Sequence, residues 1–166
     1  MRRFAFIAPL AGSLALAAAA IAQPTGAPTV SVTIGPDLQE EVEKLGQRDV
    51  DLQVAELTRT VERTLARRGA LSGATVNLVL TDLKPNRPTI QQASDRPGLS
   101  IIDSVSIGGA TIEGEVITAD GQTQPVKFDR YSTSIHQSLG TTTWYDANRA
   151  FDRLAVNLAE GRFVTR

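Results

Sequence analysis

Between Asp49 and Gly69, five apolar residues recur at steps of four, three, four and four: Val50, Val54, Leu57, Val61 and Leu65. That spacing puts all five on one face of an α-helix of five to six turns. The other face carries Glu56, Arg59, Glu62, Arg63 and Arg67, with Glu56 three residues before Arg59. Such a helix is stable only if a second layer of structure covers its apolar stripe. Asp49 is placed to cap its start. Arg67 and Arg68 sit where the helix dipole favours cations, and Gly69 is placed to stop it in a left-handed conformation.

The flanking sequence supplies the covering layer. Residues 29–34 alternate Val30, Val32 and Ile34 with polar residues, the pattern of a half-buried strand. Gly35-Pro36 ends it, and Leu38, Val42 and Leu45 give a short helical piece before Gly46. Residues 75–83 form a second strand with Val76, Leu78 and Leu80 on one face. Residues 101–107 read as a third. Residues 111–118 and 124–135 alternate on either side of Asp120-Gly121, a strong hairpin turn. Thr143 followed by Asp146 resembles a capping box, and Ala147, Ala150, Phe151, Leu154 and Leu158 make a second helical stripe that Gly161 closes. Residues 86–98 hold no clear period and read as a surface loop with an extended piece at 89–92. A second loop is expected at 137–142. The predicted fold is α+β, a single domain over 29–166: an antiparallel sheet of about four strands with helices packed on one face.

Residues 1–22 have a different character. Arg2 and Arg3 precede a mostly apolar run from Phe4 to Ala20, and Ala20-Ile21-Ala22 offers a small-x-small cleavage site. The run is largely alanine, which is weak for a retained membrane span. The expectation is a signal peptide cleaved after Ala22, a linker over 23–28, and a periplasmic or secreted domain with no membrane anchor after cleavage. The chain has no cysteine, so it has no lipid-bearing cysteine, disulfide or thiolate site. Without the two N-terminal arginines, fifteen basic residues face eighteen acidic ones. That balance argues against a nucleic-acid partner, which needs a basic face.

No catalytic set, metal site or cofactor motif emerges. His136 is the one histidine, and none of Ser132, Ser134 and Ser138 lies in a nucleophile-elbow pattern. Glu113 and Glu115 share one side of a strand and read as its solvent face. Asp95, Asp103 and Asp120 are too far apart for a calcium loop, and Gly108-Gly109 lacks the phosphate-loop run. The candidate binding residues lie elsewhere. Pro85, Pro88 and Pro97 stiffen the 86–98 loop, which carries Asn86 and the planar donors of Arg87 and Arg96. Trp144, beside Tyr145, can anchor a ligand ring or pack the last helix onto the sheet.

Asn86-Arg87-Pro88-Thr89, Pro97-Gly98-Leu99, Ser106-Ile107-Gly108-Gly109-Ala110, the Asp120-Gly121 turn and Thr143-Trp144 with Asp146-Ala147-Asn148-Arg149-Ala150-Phe151-Asp152 together resemble a group of small uncharacterised secreted proteins and lipoproteins of proteobacteria. The resemblance implies a small α+β envelope domain and no particular activity. With the leader and the missing catalytic set, it leads to a non-enzymatic protein-binding or assembly accessory domain with an envelope protein as partner. The alternative is a small-ligand or glycan-binding module using the 86–98 loop and Trp144.

Overall fold

The computed structural model describes residues 26–139 and 141–165. The expected signal peptide lies outside these residues. Along the chain come β1 (Thr29–Ile34), α1 (Pro36–Leu45), α2 (Gln47–Arg68), β2 (Thr75–Lys84), α3 (Ile90–Asp95), β3 (Gly109–Ile117), β4 (Thr123–Tyr131), a helical turn (Ile135–Ser138), α4 (Tyr145–Ala159) and β5 (Val164–Thr165). The fold is α+β, with one sheet in the order β1-β2-β3-β4-β5.

The sheet has five strands and is mixed, which corrects the all-antiparallel expectation. β2, β3 and β4 form an antiparallel meander, but β1 pairs with β2 in parallel and β5 pairs with β4 in parallel. In each parallel pair a helical connection returns the chain to the end it left, which a tight turn cannot do. α1 and α2 make the return before β2, and α4 makes it before β5.

Alternation buries one face of the sheet. Val76, Leu78, Leu80, Ile112, Val116, Val126 and Phe128 are all buried. They form one cluster with Leu38, Val42 and Leu45 of α1, Val50, Leu57, Val61 and Leu65 of α2, and Ala147, Ala150, Phe151, Leu154 and Leu158 of α4. Val54 packs at the margin of that cluster, half-buried. Burying a side chain such as Leu57 or Phe151 contributes about 2–3 kcal/mol. On the other face, Ser31, Asn77 and Glu115 sit in register across three strands and are hydrogen-bonded in sequence. Glu113 pairs with Lys127 at 2.9 Å across β3 and β4. Glu113 and Glu115 thus belong to cross-strand pairs on the open face.

Several local expectations are overturned. Residues 101–107 form no strand. Ser100 Oγ accepts from the backbone N–H groups of Ile102 and Asp103, and Ser104 Oγ accepts from that of Ser100. Side chains thus capture the donors a ladder would need. Residues 89–92 are not extended but start α3: Thr89 Oγ1 accepts from Gln92 N at 3.2 Å, and Gln92 Oε1 accepts from Thr89 N at 3.1 Å, a complete capping box. The expected loop at 137–142 begins inside the helical turn Ile135–Ser138. The predicted Asp49 cap is absent, because α2 starts at Gln47, directly from Gly46. Thr143 does not cap α4 either; Trp144 occupies that position without a side-chain cap. Gly69 does stop α2 in the left-handed region, at φ 60°. Of the expected linker, Gly26 is already tied to the domain, its carbonyl accepting from Gly73 N at 2.8 Å.

Candidate functional site

The register places Lys84, Gly109 and Tyr131 side by side, so β2 ends, β3 begins and β4 ends at the same end of the sheet. The two long connections, residues 85–108 and 132–144, therefore leave from that end. Asn86, fully buried, joins them. Its Nδ2 donates to Asp146 Oδ2 at 2.5 Å and to Ser138 Oγ at 3.0 Å. Its Oδ1 accepts from Asp146 N at 2.9 Å. That bond satisfies an orphan N–H in the first turn of α4, so Asn86 supplies from 60 residues away the cap that Thr143 does not. Its backbone N–H and C=O engage Thr143 and Ser106. Gly108 must be glycine because a methyl group there would overlap the Asn86 amide.

Arg87 adds a second tie. Its Nε donates to the Thr141 carbonyl at 2.5 Å, and its Nη1 donates to the Ile102 carbonyl. Trp144 is 8% exposed, and its Nε1 donates to Asp49 at 3.4 Å. Asp49 thus reaches across from α2 to the start of α4.

The four residues singled out from sequence are not gathered at one opening. Of them, Arg96 alone lines a cleft of about 560 Å³ between α1, α3 and the loop after it. Pro85, Pro88, Leu99, Val105 and Ile107 give the cleft an apolar surface, and Glu41, Lys44, Lys84, Asp95 and Arg96 give it charge. Lys44 and Lys84 are paired with Glu41 and Asp82, whereas Arg96 is exposed and unpaired among the described residues.

The connections from this end carry most of the large apolar side chains that stand exposed among the described residues. Nine large apolar side chains stand exposed among the described residues, and seven belong to these connections and the start of α4: Ile90, Ile101, Ile102, Ile107, Ile135, Leu139 and Tyr145. Ile102 is 78% exposed and Ile90 72%. The strand expected over 101–107 hides Ile101, Ile102 and Ile107 in the sequence, whereas Tyr145 is visible there beside Trp144. Yet adjacent isoleucines cannot both face the core of a one-sided sheet, and Ile101-Ile102 carried that signal.

The catalytic candidates do not converge. Ser132 Oγ donates to Asp146, not to His136. The His136 side chain is exposed and forms no ion pair or hydrogen bond among the described residues. Near the sheet end, the Tyr131 hydroxyl donates to Asp82 Oδ2 at 2.7 Å and lies 2.6 Å from Thr111 Oγ1. Burial, reinforced by the Asp82 carboxylate, pushes the phenol well above its ordinary pKa. A phenol held so firmly protonated is a structural donor, not a general base at neutral pH. Among the described residues no three metal-ligating side chains converge, and no helix is long and apolar enough to cross a membrane.

A scan against protein-family models finds no match to the chain, and a search among curated proteins finds none either.

Proposed function

We propose that this chain is a non-catalytic protein-binding module of the bacterial envelope, and that its contact surface is the loop end of the sheet. The observation that carries this reading is the concentration of exposed apolar side chains there, six on the connections held together by Asn86 and Arg87 and Tyr145 at the start of α4. Large apolar side chains left exposed in one region of a surface are what a protein partner covers. Asn86 and Arg87 act as positioning residues for that surface. Arg96, at the rim of the adjoining cleft, is free to meet a carboxylate of the partner. The glycan-binding alternative is weakened because the indole it needs is buried at Trp144. Residues 1–22 direct export and are removed after Ala22, leaving the domain periplasmic or secreted.

The test is site-specific photocrosslinking in living cells. A crosslinker at 90, 102 or 107 is expected to trap one and the same protein, and Ile102→Asp is expected to abolish capture from 90 and 107 while leaving the melting temperature unchanged. Crosslinker at 52, an exposed apolar position on α2, serves as the control. Equal capture from 52, or no discrete product from the loop end, contradicts the proposal.

A further inference from the structure

A second surface, in the groove between β4 and α4, has a different chemistry. Alternation along β4 puts Arg130 on the same side as Val126 and Phe128, the side that faces the helices. There it meets α4. Arg130, Arg149, Asp152, Arg153 and Val156 line a recess of about 380 Å³. Two smaller recesses of about 250 Å³ adjoin it, one reaching Ser132, Thr133 and Gln137, the other reaching Asn157 and Arg162. Arg130 lines all three, so they form one trough along α4.

Three guanidinium groups of this trough lack the partners that composition offers. Acidic residues outnumber basic ones in the chain, yet Arg130, Arg149 and Arg153 form no ion pair among the described residues. Arg149 only lies over the Tyr145 ring, 5.7 Å from its centre. Asp146, at one end, is 7% exposed and already accepts from Asn86 and Ser132. Arg162, at the other end where Asp129 also lines the recess, is held by Glu160 and Asn157. In the central recess three guanidinium groups face one carboxylate, Asp152, a net charge of +2. Like charges gathered in one recess repel each other, and an anion seated among them relieves that repulsion. Each guanidinium also presents a planar fork of donors that fits the paired oxygens of a phosphate or carboxylate.

We infer that the trough between β4 and α4 binds a ligand carrying at least two negative charges on oxyanion groups, through Arg130, Arg149 and Arg153. This site is independent of the apolar loop end and stands whether or not that end binds a protein.

The test titrates the purified protein at low salt with inorganic pyrophosphate, with citrate, and with phosphatidylglycerol vesicles against phosphatidylcholine vesicles. Saturable binding of at least one anionic probe is expected, weakened about tenfold or more by Arg130→Gln and by Arg153→Gln, since each removes a charge-assisted fork. Arg63→Gln, an exposed charge on α2, should leave binding unchanged, and all three variants should melt with the wild type. Preference for pyrophosphate or citrate assigns a soluble ligand of that class. Binding of phosphatidylglycerol vesicles alone, lost in the same variants, assigns a lipid headgroup. Loss of binding in Arg63→Gln equal to that in Arg130→Gln, or no arginine-dependent binding of any probe, overturns the site.

Discussion

A buried amide must find all its hydrogen-bond partners inside the protein, and Asn86 finds them on three separate stretches of chain, at Ser106, Ser138 and Asp146. Asn86→Ala removes one of the two donors to the Asp146 carboxylate and strands the first-turn N–H of α4, and should cost about 3 kcal/mol in urea unfolding. Asn86→Asp should be worse at neutral pH, because it sets a second carboxylate against Asp146. Gln53 gives the opposite expectation. Its side-chain carbonyl is buried without a partner among the described residues, so Gln53→Met should raise stability by about 1 kcal/mol. Tyr131 predicts a pH effect. Its folded pKa is raised by burial and by Asp82. In the unfolded chain the phenol loses its proton at about pH 10, while the folded protein still holds it. The unfolded state then binds fewer protons, so stability is fully present below that pH and falls as pH rises through it. Unfolding curves at rising alkaline pH should show this loss in the wild type and a smaller one in Tyr131→Phe.

At the scale of elements, the two long amphipathic helices hold the sheet. Leu57→Ala should cost about 2–5 kcal/mol through lost burial and the cavity left behind, measured by urea unfolding. The α2 stripe was legible because a 3.6-residue period needs no knowledge of what covers it. Phe151 and Leu154 of α4 were legible for the same reason. Strand direction was not legible, since the alternation of Val30, Val32 and Ile34 is the same in a parallel or an antiparallel pair. Nor was the cap of α4. The Thr143–Asp146 spacing suggested a local one, but the bonding group is Asn86, which no window along the chain connects to it. The Thr89–Gln92 capping box was in plain view, yet the surrounding prolines drew the reading toward an extended loop. Of the candidate site, Asn86 and Arg87 were visible as unusual loop residues. Their work as ties between connections depends on contacts with residues 102, 106, 138, 141 and 146, which only the fold brings near.

For the whole molecule, the two faces of the sheet differ in chemistry. One face is the core, and the other is a polar surface of cross-strand pairs. The sheet end at Lys84, Gly109 and Tyr131 carries the Asn86-centred connections and most of the exposed large apolar side chains among the described residues, and the groove between β4 and α4, which is not a sheet end, carries the arginines. Export is a separate proposal, and it predicts a secreted protein whose mass corresponds to a start at Gln23; a product that still carries residues 4–20 contradicts it. If the loop end binds a protein, in-cell photocrosslinking from position 102, with position 52 as control, should trap a single discrete partner from 102 and not from 52, lost when Ile107 is changed to Asp in a protein that still melts normally. Indistinguishable patterns from the two positions, or capture indifferent to Ile107→Asp, would contradict it.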